Sequence, residues 1–466
     1  MSWTLSHIDA ALERLRRFTT GWFAVHERTL LFALLLIGVV LRILLIAYSP
    51  TPFGYVWDFY YEGVRLLAST GHLPASTDCW QCYHPPLFYV LGWPLYAFGR
   101  WTAAAAANGD ARGLRWLAGL GTISAAVTIY YGYRLLRLFG CRGGSLVIGV
   151  ALLVTFPCLF ISSYGADADI VLTAILSAFI YYFTRDSATA TLASSLRLGV
   201  LAGLAAATKY SGLVAVASAV ILYAVRIVSG PGRLLAIRHA VMIVALCAVV
   251  GGWKYVDNYR HYGTPLYANG SALEGFSIDR SAHLRGHYEF TTLRLAALMR
   301  VFGPRAVRGT LTDLPVYRSV PTTLHALAWS DMSFFSEPTR HGDPTHPYPR
   351  KDVSLGLIGI VLMLGFVPEL LAAIGFVGTL RRRLFRPLAV ISAVGVSSYV
   401  WWFLSQESWG LKTKYLLFLL PAFVVYAVSG FALLWNHAPR LSAITGALIT
   451  ALVLVTSMYL LAFDLG

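Results

Sequence analysis

Twelve apolar runs separated by short polar clusters make up most of this chain of 466 residues. An α-helix needs about 20 residues to cross the ~30 Å hydrocarbon core of a bilayer, and most of the runs have a length near that value. Hydrophobic residues are 57% of the chain and charged residues 13%, too few for a soluble surface. The sequence therefore predicts an all-α polytopic membrane protein. The runs cover residues 30–49, 87–107, 114–136, 145–163, 169–183, 196–209, 212–229, 236–255, 355–379, 387–404, 415–435 and 441–463.

Arginine clusters in the short connections predict which helix ends face the cytoplasm, because lysine and arginine are retained on that side. The clusters lie at residues 14–28, 134–142, 226–238 and 381–386. The clusters therefore place the other connections on the extracytoplasmic side. These are residues 50–85, 163–169, 254–353 and 405–414. The alternation requires eleven crossings, with the run 87–107 re-entrant or interfacial. The alternative is that the connection 134–143 lies outside despite its arginines.

The same pattern divides the chain into four parts. They are a cytoplasmic N-terminus (1–29), a membrane module that includes the first extracytoplasmic loop 50–86 (30–255), a long extracytoplasmic loop (254–353) and C-terminal transmembrane helices (354–466). The basic N-terminal segment is followed by no peptidase cleavage site, which is typical of a signal anchor. Abundant alanine and arginine indicate a GC-rich bacterium, so we expect the bacterial inner membrane, with the active site facing the periplasm.

The first extracytoplasmic loop carries the densest group of acidic and aromatic residues. Asp58, Glu62 and Arg65 share one face of a predicted helix because they are four and three residues apart. The opposite face is apolar: Trp57, Tyr60, Val64 and Leu67. Such a helix lies in the membrane interface. Two interpretations stay open: a solvated polar face, or a catalytic face on which Asp58 is a general base.

Asp167 and Asp169 come where a helix enters the membrane. A carboxylate there caps free N–H groups of the first helical turn, and capping alone is one interpretation. The other pairs these acids with Asp58 for acid–base or metal-assisted chemistry. Lys209 interrupts a long apolar stretch. Because a lysine at bilayer depth is costly, we expect two helices to meet at the outer surface there.

Two further signals follow the acidic loop. His84 precedes two prolines at the membrane edge, where it is either structural or in contact with a lipid phosphate. A second histidine at metal-ligand spacing is missing from the sequence around it, so metal binding is the weaker hypothesis. Cys79 and Cys82 form a Cys-x-x-Cys pair, for which we expect a local disulfide in an oxidising compartment.

The long loop 254–353 is strongly basic, with six of the chain's twelve histidines and many arginines. One interpretation is an anionic substrate, since arginine and lysine bind phosphate well. The other is that long translocated loops do not follow the charge rule. Residues 293–302 are expected to form a second interfacial helix. The loop has no nucleic-acid motif, so nucleic acid is excluded as a partner.

Acids and cations therefore converge on one membrane face of a chain without a nucleotide-binding motif. An extracytoplasmic enzyme lacks nucleotide-activated donors, which favours a membrane-borne donor such as a sugar on a polyprenyl phosphate. The rival class is a lipid or sugar transporter or flippase, although no inverted repeat is visible. A non-catalytic membrane scaffold would not need the loop around Asp58.

Five stretches of the sequence resemble the GT-C superfamily of integral membrane glycosyltransferases, and within it the branch of protein O-mannosyltransferases and lipid A aminoarabinose transferases. They are Asp58 through His84-Pro-Pro-Leu87, Phe156-Pro157 through Asp169, Gly203 through Gly212, Trp253 through Leu266, and more weakly Lys412 through Tyr415 with Pro421. The resemblance covers residues 30–270 well and the rest loosely. Asp58 is followed by Phe59, whereas many members have two adjacent acids there, and the large C-terminal soluble domain of some relatives is absent.

The resemblance implies an inverting transfer from a polyprenyl-phosphate sugar to a hydroxyl or phosphate of a glycolipid, glycan or protein. Asp58 takes the position of the general base, and Asp169 or Asp167 that of the second-loop acid, with Glu62 as a further acid. His84, Lys209 and Lys414 take positions near the donor phosphate. Further expected substrate-binding residues are Tyr60, Tyr61, Tyr210, Arg260, Lys412 and Tyr415. Membrane lipids are the other expected partners, no metal ligands are assigned, and a divalent metal stays an open alternative.

Overall fold

The structure is a computed structural model, and it describes residues 2–48, 60–103, 109–187, 190–229, 232–267, 289–295, 319–330, 351–406 and 413–465. The helices are α1 (Ser2–Tyr48), α2 (Tyr60–Thr70), α3 (Leu87–Trp101), α4 (Gly109–Leu138), α5 (Gly144–Thr155), α6 (Pro157–Ser162), α7 (Ala168–Asp186), α8 (Leu192–Thr208), α9 (Leu213–Ser229), α10 (Arg233–Gly251), α11 (Trp253–Tyr262), α12 (Val320–Trp329), α13 (Lys351–Thr379), α14 (Arg386–Gln406), α15 (Leu420–His437) and α16 (Pro439–Leu465). Short 3₁₀ turns cover Tyr210–Gly212, Arg383–Phe385 and Thr413–Leu419.

Eight of the described helices are long and apolar enough to cross a membrane. They are α1 from Val25 onward, α7, α9 with the turn before it, α10, α13, α14, α15 with the turn before it, and α16. Three further segments are α4, the broken α5–α6 pair and α8. Together these give the eleven segments expected from the sequence, and the all-α polytopic fold class is confirmed.

Helix α3 does not run the length of the bundle. Gly99 packs against Gly113 of α4, and Gly92 packs against Leu117. Further along α4, Gly121 contacts the backbone of Ser163 in the α6–α7 connection. Helix α3 packs on the N-terminal part of α4, and its 15 residues are fewer than the about 20 that a crossing needs. This arrangement favours the interfacial interpretation of the run 87–107 over a full crossing.

The arginine-rich connections gather at one end of the bundle. Glu27 of α1 accepts a hydrogen bond from the Gly143 backbone and lies 3.1 Å from a guanidinium nitrogen of Arg137. The rings of Phe139 and Phe385 pack with centroids 4.3 Å apart, which brings the connection 381–386 to the same place. We call this the arginine end. The connections that carry the predicted site residues meet at the other end, the site end.

One buried arginine joins α1 to the break between α5 and α6. Arg42 is 1% exposed, and its guanidinium lies 4.4 Å from the centre of the Phe160 ring. Its Nε donates to Ser163 Oγ at 2.6 Å, and a terminal nitrogen donates to the Val154 carbonyl at 3.2 Å. The break occurs at Pro157, which has no N–H to continue the helix. Arg42 thus fixes the connection that leads into α7.

Candidate active site

Four buried charged side chains meet at the site end. Lys209 Nζ lies 2.7 Å from Asp169 Oδ1, and Lys414 Nζ lies 3.0 Å from Asp167 Oδ2. Lys414 Nζ is also 3.7 Å from Asp169 Oδ2. All four residues are at most 7% exposed. Two ammonium groups and two carboxylates cancel in charge, which limits the cost of removing them from water. We call these residues the charge quartet.

The two carboxylates enter the quartet from the start of α7. Asp167 is the N-cap, and its side chain accepts a hydrogen bond from the backbone N–H of Asp169 at 2.9 Å. An N-cap oxygen satisfies one of the free N–H groups of a first helical turn. The other oxygen of Asp167 binds Lys414. The interpretation as capping alone is therefore wrong, since the acids also hold two lysines.

The two lysines lie where helices are interrupted. Lys209 is the C-cap of α8, in an extended conformation, and a 3₁₀ turn leads on to α9. The turn is tight at Gly212, where a Cβ atom would lie 2.0 Å from the carbonyl oxygen of Ala205. Lys414 lies in the 3₁₀ turn before α15. The prediction that two helices meet around Lys209 is confirmed.

Aromatic rings surround the ammonium group of Lys209. It lies 4.3 Å from the centre of the Tyr415 ring and 5.5 Å from that of Tyr60. The His84 ring in turn packs against Tyr60 at 5.6 Å and against Tyr210 at 5.5 Å. Such rings attract a cation through their electron-rich faces. The structure therefore brings these four predicted binding residues to the charge quartet.

Tyr210 joins three separate connections at the site end. Its hydroxyl oxygen lies 2.8 Å and 2.9 Å from the carbonyl oxygens of Tyr83 and Tyr267. It accepts a hydrogen bond from the Asn258 side chain at 2.8 Å, and Ser76 donates to the same amide at 3.0 Å. The sequence reasoning missed Asn258 and Ser76. The signal for Asn258 was its spacing of four from Lys254, which places both on the buried face of α11.

A disulfide closes the connection between α2 and α3. Cys79 and Cys82 are joined, with their Cα atoms 5.0 Å apart. Between them, the carbonyl of Gln81 accepts a hydrogen bond from the hydroxyl of buried Tyr89. The carbonyl of Gln81 also accepts from the backbone N–H of His84 at 3.0 Å. The disulfide loop thus fixes the backbone at His84, next to the charge quartet.

Three other predicted residues face elsewhere. Glu62 interacts with the Trp80 backbone and with Arg65, and burial raises the pKa of its carboxyl above the usual value. Burial likewise raises the pKa of Tyr61, on the Arg65 side of α2. Arg260 is exposed on α11. Asp58 and Lys412 lie outside the described residues.

Several described basic residues of the loop 254–353 have acidic partners. His261 lies 3.1 Å from Asp257, Arg294 pairs with Glu289, and His325 lies 2.8 Å from Glu369. Most of residues 293–302 fall outside the described part, so the second interfacial helix stays a prediction. In the described part of the chain, no three His, Cys, Asp or Glu side chains are grouped as metal ligands would be.

The arrangement of helices is similar to that of a solved structure. The oligosaccharyltransferase of Archaeoglobus fulgidus, solved with Zn and sulfate, aligns with 92% of this chain at a TM-score of 0.50 and 15% identity. The chain has a GT-C-type fold. It spans about half of that enzyme, since the alignment covers 53% of the archaeal chain.

A second solved structure is less similar to this chain. ArnT from Cupriavidus metallidurans, bound to undecaprenyl phosphate, gives a TM-score of 0.38 at 18% identity, over 90% of this chain and 80% of that one. No protein-family model and no curated protein sequence matches the chain. The likeness is therefore one of fold.

Proposed function

We propose that this protein is an inverting glycosyltransferase that uses a polyprenyl-phosphate-linked sugar on the extracytoplasmic face of the membrane. The charge quartet carries the proposal, because it places two buried lysines where helices of a GT-C-type fold end. The donor has an anionic phosphate and an apolar tail, which matches cations at the edge of an apolar bundle. The acceptor is a hydroxyl or phosphate group of a glycolipid, glycan or protein.

Lys209 and Lys414 are the proposed ligands of the donor phosphate. When the sugar leaves, the phosphate oxygen gains charge, and ammonium groups held in a water-poor site stabilise it. Asp167 and Asp169 hold these ammonium groups in place before the donor arrives, at 3.0 Å and 2.7 Å. His84, packed on Tyr60, is the third proposed phosphate contact.

Asp58 is the proposed general base. It precedes Tyr60 by two residues, and the ring of Tyr60 lies 5.5 Å from Lys209 Nζ. The acceptor oxygen bonds to the anomeric carbon as the bond from that carbon to the phosphate oxygen breaks. The acceptor proton passes to the Asp58 carboxylate, and the polyprenyl phosphate leaves with the bonding electrons. Attack opposite to the leaving phosphate inverts the anomeric centre.

Binding of undecaprenyl phosphate to the detergent-purified protein tests the lysine roles. We expect Lys209→Gln and Lys414→Gln each to weaken binding about tenfold or more, since each removes a charge-assisted contact worth about 1.5 kcal/mol or more. The matched control is Lys254→Gln, because Lys254 is also buried but pairs with Asp257 outside the quartet. If the two quartet variants bind undecaprenyl phosphate as tightly as the control variant does, with each protein folded, the proposed phosphate site is contradicted.

The transporter alternative predicts a different result. In sealed vesicles, a flippase moves labelled undecaprenyl phosphate sugar between leaflets and leaves the glycosidic bond intact. The proposed enzyme cleaves that bond when an acceptor is present and does not accelerate the exchange between leaflets. Exchange between leaflets without bond cleavage would favour the transporter.

A further inference from the structure

An ionisable pair lies inside the membrane-spanning part of the chain, away from the charge quartet. Glu369 belongs to α13 and follows Pro368 in the span Leu357–Thr379. It lies 2.8 Å from His325 of α12. Ionisable groups at this depth are costly and persist where they have a role. The proposed transfer reaction does not use either group.

The His325 ring is held on three sides. Nδ1 lies 2.8 Å from Glu369 Oε1, and Nε2 lies 2.9 Å from the carbonyl oxygen of Leu362. The ring stacks on Phe366 with the centroids 3.8 Å apart and the planes 8° from parallel. A carbonyl oxygen only accepts, so Nε2 is the donor to Leu362, and Nδ1 is left to share a hydrogen bond with the carboxyl group of Glu369. Glu369 also accepts a hydrogen bond from Trp329 Nε1 at 2.8 Å.

Helix α12 is therefore fixed to α13 at two points one turn apart, His325 and Trp329. The helix has ten residues, begins with a cap by Ser319, and is buried along most of its length. Trp329 packs against Phe156 at the α5–α6 break, with ring centroids 5.0 Å apart. Without the pair, a helix this short has little to hold it in one register, because isolated short helices are marginal.

Helix α12 also contacts the turn that carries Lys414. The hydroxyl of Thr413 donates to the carbonyl of Leu324, the neighbour of His325, at 2.7 Å. Val320 of α12 also packs against Trp402. The Trp402 ring meets Tyr415 with centroids 5.3 Å apart. Both residues that flank Lys414 are thus held by α12, directly or through Trp402.

We propose that His325 and Glu369 are positioning residues that hold α12 against α13 and so fix the turn that presents Lys414 and Tyr415 to the donor phosphate. The identity of the ligand rests on the proposed function, whereas the control of the turn by the pair does not. The pair acts at a distance, through Leu324 and Thr413, and neither member touches the charge quartet. It is the third anchor of the site, besides Arg42 and the Tyr210 hydrogen bonds.

Hydrogen–deuterium exchange of the purified, ligand-free protein tests the structural part. In His325→Phe the new ring can still stack on Phe366. The Glu369 carboxylate loses its contact with residue 325 and keeps the hydrogen bond from Trp329. We expect amides of residues 413–419 to exchange about tenfold faster in this variant, a factor that corresponds to about 1.4 kcal/mol. The double variant His325→Phe with Glu369→Gln removes the uncompensated charge and keeps an acceptor for Trp329, but it still lacks the pair, so exchange at 413–419 is expected to stay about threefold or more above that of the wild type.

Donor titration tests the functional part. We expect His325→Phe to raise KM for the donor, or Kd for undecaprenyl phosphate as probe, about tenfold, with kcat retained at saturation. A loss of kcat at constant KM would indicate a smaller active fraction and overturn the proposal. The control Glu27→Gln breaks a pair at the arginine end and is expected to change neither quantity. If His325→Phe fails to fold, His325→Asn, which keeps one donor, replaces it.

The two proposals fail separately. Faster exchange at 413–419 in a protein that transfers no sugar would overturn the proposed function and support the control of the turn. Unchanged exchange at 413–419, or an equal increase over the whole chain, would overturn the positioning role even in an active enzyme. Faster exchange without a change in KM or Kd would overturn the link from the turn to the donor.

Discussion

The lysines and aspartates of the charge quartet form ion pairs in the structure, and the lysines are also the proposed ligands of the donor phosphate. Sequence reasoning placed Lys209, Lys414, Asp167 and Asp169 on one face and assigned each of them to the site. It did not pair the lysines with the acids, because pairing depends on side chains from α7, α8 and the turn before α15 meeting in space. Each lysine tip is 2.7 Å to 3.0 Å from a carboxylate oxygen. Donor binding therefore has to compete with these ion pairs.

A double substitution separates stability from function in the quartet. Lys209→Met leaves Asp169, which is 2% exposed, without its 2.7 Å partner, and we expect a loss of about 3 kcal/mol or more. Adding Asp169→Asn removes the uncompensated charge and is expected to restore most of the stability. Donor binding stays weak in both variants because Lys209 is absent. Thermal unfolding measures the stability of both variants, and undecaprenyl phosphate binding measures their function. A double variant that is no more stable than the single variant would contradict the ion pair between Lys209 and Asp169.

Glu62 makes a pH-dependent contribution to the stability of the folded state, and this contribution does not involve the charge quartet. Burial raises the pKa of its carboxyl above 4.5, despite the opposing effects of the Trp80 backbone and Arg65. A raised pKa means that the folded state binds the proton more tightly, so this contribution to stability is present at low pH and is lost as pH rises through the folded pKa. Glu62→Gln should therefore stabilise the protein at about pH 7 more than at about pH 4. Thermal unfolding of the wild type and the variant at both pH values measures this difference. An equal effect of the substitution at the two pH values would contradict the raised pKa of Glu62.

At the scale of the helices, hydrophobic periodicity predicted most of the architecture. Apart from α1, which begins at Ser2 and so well before the run 30–49, the runs correspond to the described helices within a few residues, because membrane-spanning length and apolar composition are set by the bilayer. Two isolated charged residues inside the runs, Arg42 and Glu369, were not interpreted, and His325 was counted only among the histidines of the long loop. Each of the three joins its own helix to another part of the bundle. Their partners are distant in sequence, so the pattern around each residue could not identify them.

Arg42 makes the break between α5 and α6 sensitive to substitution. Arg42→Met removes the donors to Ser163 and Val154, and we expect it to lower stability by about 2 kcal/mol or more. It should also reduce donor binding, because the connection from Ser163 leads into Asp167. Thermal unfolding and undecaprenyl phosphate binding are the measurements. Arg100→Met, on an exposed face of α3, is the control that should leave both unchanged; an equally small effect of Arg42→Met would contradict the bracing role.

At the scale of the whole molecule, the two ends of the bundle differ in chemistry. Arginines and the Glu27 pair lie at one end, whereas the charge quartet, the tyrosines and the disulfide lie at the other. Sequence reasoning predicted this polarity, since the positive-inside rule depends on sequence alone. It could not decide whether the run 87–107 crosses, because an apolar helix packed on α4 and an apolar span have the same composition.

Because a disulfide closes the loop before His84, we expect donor binding to depend on the redox state of that disulfide. Replacing Cys79 and Cys82 by serine frees the backbone at His84, and we expect weaker undecaprenyl phosphate binding with only a small loss of global stability, because the closed loop is short. Treatment of the wild type with a reductant should reproduce the effect, and the serine variant should not respond further. A reductant effect that persists in the serine variant would contradict the assignment of the effect to this disulfide, because the other described cysteines are free thiols.

The most direct test of the central claim is consumption of a donor by the purified protein. Mass spectrometry would follow a panel of polyprenyl-phosphate sugars with an acceptor extract, wild type beside Asp58→Asn. The account predicts that the wild type releases free polyprenyl phosphate from one donor and that Asp58→Asn, folded and still able to bind undecaprenyl phosphate, releases little or none. No release from any donor by the folded wild type would contradict the account.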